Sequence, residues 1–234
     1  MASGLQRDQF AVLEGARLSV PSAGLRLDFS GAAVWRGKIP AVSLSAAAVP
    51  GGAESTRALD ALLARLSGLS TGIAPLLFTR SGGRLLFERA FAGHLAKILP
   101  DMANATCRYD AGGMVRAAAR LIGLGEGLTP SGDDFLTGYL AALRSRAQVE
   151  LKIDMLLREL ATPLGALVRR THAISRQMLN DALRGRFAQT LVDVASAIAG
   201  TGRLACATTR ALDCGHSSGA DTLCGLLFGY SPTL

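Results

Sequence analysis

The chain has 234 residues, of which 49% are hydrophobic and 18% charged, so it is long enough to bury a core and lacks the composition of a disordered protein. Its net charge of +7 is spread along the chain, and only 5% of its residues are aromatic, which argues against a nucleic-acid surface. No apolar run reaches membrane-spanning length, so we predict a cytoplasmic protein with a small anionic partner and neither nucleic acid nor membrane as a partner.

The first part of the chain predicts an antiparallel sheet. Leu25, Leu27 and Phe29 alternate with polar residues, as in a strand with one buried face. Short apolar runs at 34–35 and 41–44 lie between Gly and Pro residues and predict further short strands.

A hairpin and one helix complete this part. The apolar runs at both ends of segment 76–87 flank a turn that contains two glycines, which is typical of a hairpin. Ser55 is placed to cap a helix that runs to Leu66. Residues 1–88 are therefore predicted as a mostly β part with one helix.

From about residue 88 onward the apolar residues recur with helical spacing. Thr162 and Pro163 predict a helix start, and Gly185 is placed to end that helix. We predict an α+β fold in which a helical part, 89–234, follows the β-rich part. The candidate helices lie at 88–99, 112–122, 132–144, 147–160, 163–184, 188–199 and 219–228.

The four cysteines show no Cys-x-x-Cys pair, and their neighbours are mostly hydrophobic. This pattern predicts buried free thiols in a reducing compartment. The cysteines are Cys107, Cys206, Cys214 and Cys224.

Two segments repeat one motif. Residues 131–138 and 218–225 share the pattern Ser-Gly-x-Asp-x-Leu-x-Gly, offset by 87 positions. Each copy follows a loop and opens an apolar helix. One reading of the pattern is a pair of capping boxes, in which the serine caps its helix and the aspartate reaches back.

Capping leaves the glycines of the motif unexplained. Glycine in a helix costs up to about 1 kcal/mol against alanine, so something must approach the backbone closely at these positions. We interpret Gly138 and Gly225 as the contact at which the two helices cross, with both helix starts directed towards one pocket.

The helix starts also suit a ligand. Free amides at 132–133 and 219–220, with the positive ends of the helix dipoles, would attract a phosphate or carboxylate. Asp133, Asp134 and Asp221 would then bind amide hydrogens of the ligand or hold Mg²⁺, which stays open as a cofactor. Adjacent residues on a helix point about 100° apart, so Asp134 with Asp221 is a better pair than Asp133 with Asp134.

The glycine-rich segment 123–138 and the segment 215–225 resemble the signature segments of a bacterial family that includes AllH, a subunit of oxamate carbamoyltransferase in allantoin degradation. The resemblance extends more loosely through segment 170–175 and the β-rich first part. It implies a transferase subunit in purine catabolism that works with partner protein subunits.

The resemblance implies transfer of a carbamoyl group from oxalurate to phosphate, which yields oxamate and carbamoyl phosphate. This chemistry needs donors that stabilise charge and an acceptor that orients the amide nitrogen. We assign catalysis to Asp134 and Asp221. The predicted substrate-binding residues are Gly127, Thr129, Ser131, Gly132, Asp133, Thr171, Ser175, His216, Ser217, Ser218 and Gly219. His94 has no role in this scheme.

Two other functions remain open. The chain could be a non-catalytic assembly subunit whose repeated helices serve packing alone. It could also be a metal-dependent hydrolase of a small carboxylate or amide, which would need a metal to activate water.

Overall fold

The computed structural model describes residues 9–42, 52–75 and 86–231. The chain divides into two compact units, Met1–Arg36 and Gly37–Leu234. The seam predicted near residue 88 stays a prediction, and buried residues on both sides of it, such as Leu66 and Leu95, belong to one core.

The first unit is a three-stranded antiparallel sheet of β1 (Val12–Glu14), β2 (Arg17–Val20) and β3 (Leu25–Asp28), in that order. A 3₁₀ turn and Gly24, in a left-handed conformation with φ +62°, join β2 to β3. The predicted antiparallel sheet is confirmed. The apolar residues at 34–35 and 41–42 form no strand.

The second unit is helical in its described residues, and it includes the part predicted to be helical, 89–234. A 3₁₀ turn, Val168–Arg170, follows α5 and precedes α6. The α-helices of the described residues are α1 (Gly52–Ser67), α2 (Leu86–Cys107), α3 (Ala111–Leu121), α4 (Ser131–Arg146), α5 (Leu151–Leu167), α6 (Ala173–Leu183), α7 (Gln189–Ile198), α8 (Leu204–Leu212) and α9 (Ser218–Tyr230).

Two prolines lie inside helices instead of marking their ends. The helix predicted at 88–99 continues through Pro100, and α5 continues through Pro163, so the predicted helix start at Thr162 and Pro163 is wrong. The predicted helix 163–184 is instead split by the 3₁₀ turn and by Thr171, whose backbone is extended. Its predicted end is confirmed, because Gly185 follows α6 with φ +73°.

Three further elements of local structure differ from the predictions or lie outside them. Ser55 lies inside α1 and does not cap it, because its hydroxyl donates to the carbonyl oxygen of Ile198 at 2.9 Å. The predicted hairpin lies mostly outside the described residues, and its last two residues, 86–87, begin α2. The helix α8 was not predicted, since its buried face consists of the small residues Ala207, Thr208 and Ala211.

The core of the second unit centres on α4 and α9, which form the largest contact between any two described elements. Both helices are buried along almost their whole length. The rings of Phe135, Tyr139 and Phe228 cluster at this contact, with centroids 5.6 to 6.5 Å apart. These two helices are the ones that carry the repeated motif.

The cysteines depart from the sequence-based expectation. Cys224 is buried in the core, but Cys107, Cys206 and Cys214 are exposed. Small apolar neighbours along the chain therefore did not indicate burial at these positions. None of the described helices is long and apolar enough to cross a membrane.

Candidate functional site

The two motif helices cross at their interior glycines. A Cβ atom on Gly138 would overlap the carbonyl oxygen of Thr222, and one on Gly225 would overlap that of Phe135. The contact is reciprocal, since Thr222 and Phe135 occupy equivalent positions of the two motif copies. The predicted helix crossing is confirmed, and it relates the copies by an approximate twofold axis.

The glycines of the first turns are also packing positions. A Cβ atom on Gly132 would overlap the carbonyl oxygen of Leu121, and one on Gly219 would overlap that of Ala211. Both carbonyls lie near the end of the helix that precedes the motif, α3 in one copy and α8 in the other. Protein backbone thus explains both glycines without a ligand, and their predicted role in substrate binding stays a prediction.

The motif serines do not cap their own helices. Pro130 and Ser217 occupy the N-cap positions, and neither makes a side-chain capping bond. The hydroxyl of Ser131 instead interacts with the carboxyl of Asp221. In the same way, the hydroxyl of Ser218 in the second copy interacts with the carboxyl of Asp134 in the first copy. Each copy of the motif therefore supplies the serine for the aspartate of the other copy, and the capping-box reading is wrong.

The hydroxyls of three half-buried residues gather at this junction. Thr129, which precedes the first motif, has its hydroxyl oxygen 2.8 Å from that of Ser218, and it also interacts with Asp134. Ser131 completes the group near Asp221. We call Thr129, Ser131, Ser218, Asp134 and Asp221 the motif site.

The two aspartates of the motif site lie below the surface, with 1% and 0% of Asp134 and Asp221 exposed. Asp221 accepts a hydrogen bond from the backbone amide of Ile73 at 2.5 Å through Oδ1, while its Oδ2 has no partner in the described residues. Neither oxygen of Asp134 reaches hydrogen-bond geometry with any described group. An unpartnered buried carboxylate is costly and is expected to serve a purpose.

Burial shifts the titration of both aspartates. It is the main reason that the pKa of Asp134 is raised to about 7, and the charges of Asp221 and Asp133 raise it further, against the hydroxyls of Ser218 and Thr129. Burial also raises the pKa of Asp221, against the hydrogen bond from Ile73. Perturbed carboxylates of this kind occur more often at functional sites than elsewhere.

Asp133 faces away from the motif site. Its Oδ1 accepts a hydrogen bond from the amide of Gly123 at 2.8 Å, and its Oδ2 accepts one from the hydroxyl of Thr171. Both oxygens of this buried carboxylate are thus used to hold loops in place. The expectation that Asp133 and Asp134 do not act as a pair agrees with this arrangement.

The first amides of the motif helices already have partners. Gly132 donates to the carbonyl oxygen of Leu124 at 2.8 Å, and Asp133 donates to that of Pro130 at 2.9 Å. In the second copy, Gly219 donates to Cys214 at 3.0 Å. The expectation of free amides at these three residues is therefore wrong, and the helix starts give an anion fewer donors than predicted.

The remaining predicted binding residues are dispersed. Thr171 and Ser175 are buried, and Ser175 lies 3.5 Å from the carbonyl oxygen of Leu128. Ser217 is half-buried and interacts with Asp221. His216 and Gly127 are exposed in their loops. Of these residues, the structure brings Ser217 to the motif site.

Metal binding has little support from the donor set. Within residues 9–42, 52–75 and 86–231, no group of three or more His, Cys, Asp or Glu side chains is arranged to hold a metal ion. Asp134 and Asp221 are the closest approach to such a group in the motif site, and one oxygen of Asp221 is already used by Ile73.

The contact between Asp221 and the segment after α1 escaped sequence reasoning. Gly72, with φ +65°, packs against the carboxylate, and Ile73 donates to it across 148 positions of sequence. A glycine before an apolar residue is too common to signal such a contact. Thr129 was predicted, but its bond to Ser218 follows from the helix crossing and not from local pattern.

The chain matches a known protein family over part of its length. A family model described as "Oxamate carbamoyltransferase subunit AllH" matches residues 121–230. No solved structure matches the chain. The matched segment begins at the end of α3 and ends with α9, so it contains both copies of the motif and every residue of the motif site. Residues 121–230, just under half of the chain, are therefore similar to the AllH family.

Proposed function

We propose that the chain is a subunit of a carbamoyltransferase-like enzyme that acts on oxalurate and oxamate and assembles with partner protein subunits in the cytoplasm. The known activity of the matching family's enzyme, oxamate carbamoyl transfer, and the position of the match support this proposal. The chain's part in catalysis is to bind the small anionic substrate at the motif site.

One observation carries the assignment to this site. Two buried carboxylates from equivalent positions, Asp134 and Asp221, retain three oxygens that make no hydrogen bond of normal geometry within the described residues, under a layer of half-buried hydroxyls. Hydrophobic or amide side chains would be cheaper at these positions if packing alone mattered. Acceptors at this depth have a use if they orient the hydroxyls above them towards a polar ligand.

The burial of the carboxylates decides how they act. The hydroxyls of Thr129, Ser131 and Ser218 are closer to the surface, so they contact the substrate, and the aspartates orient them. Hydroxyls can donate and accept at once, which suits the mixed amide and carboxylate groups of oxalurate. Such positioning of the reacting groups is the main requirement of carbamoyl transfer.

Asp134 supplies the proton step in this scheme. A phosphate oxygen attacks the carbamoyl carbon of oxalurate, the bond from that carbon to the nitrogen of the oxamate group breaks, and this nitrogen takes up a proton. With a pKa of about 7, Asp134 is partly protonated near neutral pH and delivers the proton through the hydroxyl of Ser218. In the reverse direction the same pair removes it.

Binding of oxalurate and oxamate tests this proposal. In the assembled complex, each ligand should raise the unfolding temperature of the wild type, and Ser218→Ala should abolish the shift. Ser196→Ala, in α7 and outside the motif site, is the matched control. A ligand shift that survives in Ser218→Ala and Ser131→Ala would contradict binding at the motif site.

An assembly subunit without catalytic residues is the second candidate. It is favoured by the packing of Gly132, Gly138, Gly219 and Gly225, all of which contact protein backbone. It predicts that substitutions in the motif site change stability alone. Metal-dependent hydrolysis requires a donor set that the motif site does not offer, and loss of activity on chelation would be needed to support it.

A further inference from the structure

An open, basic cavity lies at the other end of the loop that leads into the motif site. It has a volume of about 710 Å³ and is lined by parts of α2, α3, the following loop and the 3₁₀ turn Val168–Arg170. Four lining side chains, His94, Lys97, Arg120 and Arg170, are basic, and none of the described lining residues is acidic. We call these four residues and their cavity the basic pocket.

The positive charge of the pocket is only partly neutralised. Arg120 makes an ion pair of 2.8 Å with Asp101, but its guanidinium has further donors. Lys97 and Arg170 make no ion pair within the described residues. His94 and Lys97 lie three positions apart on α2, so their side chains project from the same face.

Three hydrogen bonds hold the walls of the pocket in place. The Nη1 atom of Arg170 donates to the carbonyl oxygen of Ala119 at 3.4 Å. The next residue, Thr171, donates to the buried carboxylate of Asp133, which also accepts from Gly123 in the pocket wall. Asp133 thus binds the backbone of Gly123 on one side of the pocket and the side chain of Thr171 on the other. The bond to Thr171 also restrains the backbone next to Arg170.

We propose that the basic pocket binds a small phosphate-type dianion. Its volume suits a small ligand, and none of its described lining residues is Phe, Tyr or Trp, the side chains with the largest rings for stacking on a nucleobase. Cationic donors from three elements can surround a phosphoryl group, which prefers charge-assisted hydrogen bonds.

This inference goes beyond the proposed function, since it uses none of the residues of the motif site. The loop 122–130 begins at the basic pocket with Gly123 and ends beside Thr129 of the motif site. Phosphate binding at one end of the loop can therefore be separated by mutation from substrate binding at the other.

Calorimetric titration of the full chain with inorganic phosphate, at constant ionic strength, tests the proposal. We expect saturable binding by the wild type and a Kd that increases about tenfold in Lys97→Gln and in Arg170→Gln, as for loss of a charge-assisted hydrogen bond. Arg57→Gln removes an exposed positive charge from α1 and should leave the Kd unchanged. Carbamoyl phosphate should compete with phosphate if both bind through the phosphoryl group.

Several outcomes would overturn the basic pocket as a phosphate site. These are absence of phosphate binding by the wild type, unchanged binding in both pocket variants, or equal weakening in Arg57→Gln, which would indicate general charge attraction. Loss of phosphate binding in Ser218→Ala, with both pocket variants unaffected, would move the phosphate to the motif site. That result would reject the basic pocket and leave the proposed function intact.

Discussion

The hydroxyl oxygens of Thr129 and Ser218 lie 2.8 Å apart, although 89 positions separate the two residues in the chain. Thr129 lies in the loop before the first motif, and Ser218 is the first residue of the second motif helix. Their contact exists because α4 and α9 cross closely enough to bring both helix starts together. The motif site is therefore a product of the crossing, and neither copy forms it alone.

The crossing should be intolerant of a single methyl group. Gly138→Ala and Gly225→Ala each place a Cβ atom on a carbonyl oxygen of the partner helix, so we expect each to lower the free energy of unfolding by about 3 kcal/mol or to prevent folding. Urea denaturation measures this loss.

Gly165→Ala is the matched control for the crossing. Gly165 also lies inside a helix, α5, but its Cβ position meets open space. Helix propensity alone should make this substitution neutral or stabilising by up to about 1 kcal/mol. Similar effects of Gly138→Ala and Gly165→Ala would mean that the helices do not approach as described.

Asp134 should make stability depend on pH. Its pKa rises from 3.8 in the unfolded chain to about 7 in the folded protein, so the folded state binds more protons between these values. The stability contribution of this group is therefore lost as pH rises from about 4 to 7. Asp134→Asn should remove this pH-dependent loss, because an amide does not ionise. At pH 8 the free energy of unfolding of the variant should therefore exceed that of the wild type, by at most about 4 kcal/mol.

Thermal unfolding of both proteins across this pH range checks the expectation. Their difference should shrink as the pH falls towards 4 and vanish well below 3.8, where Asp134 is protonated in both states. Asp60→Asn removes an exposed carboxylate and controls for the loss of a negative charge. A variant that is less stable than the wild type at pH 8 would show that the carboxylate has partners.

The bond between Thr171 and Asp133 should contribute to stability. Thr171→Val keeps the shape of the side chain but leaves Oδ2 of a buried carboxylate without its donor, so we expect a loss of about 1–3 kcal/mol. Thr201→Val removes an exposed hydroxyl that donates to Ser196 and should cost much less. Chemical denaturation measures the loss in free energy of unfolding for each variant. Equal losses for Thr171→Val and Thr201→Val would show that the bond to Asp133 does not stabilise the fold.

The same bond explains a failure of sequence-based prediction. Residues 163–184 have continuous helical periodicity, yet the chain is extended at Thr171 because its hydroxyl is bound to Asp133, 38 positions away. No local pattern encodes that partner. Pro163 added to the error, since it suits a helix start but lies in the last turns of α5.

The repeat allowed more to be predicted. Two copies with the same interior glycines indicated a helix crossing, and Gly138 and Gly225 meet as expected. The exchange of partners, Ser131 with Asp221 and Ser218 with Asp134, did not follow from either copy, because a serine three positions before an aspartate fits local capping equally well. Only the crossing geometry separates the two arrangements.

The carbamoyl-transfer rate of the assembled complex tests the motif site most directly. With Asp134→Asn in this subunit, kcat near neutral pH should fall by about 100-fold or more, as expected for loss of a proton-transfer group, while the unfolding temperature does not fall. Asp60→Asn should retain the wild-type rate. If Asp134→Asn and Asp221→Asn complexes both retain that rate, the paired aspartates have no part in catalysis, and the repeated helices serve assembly alone.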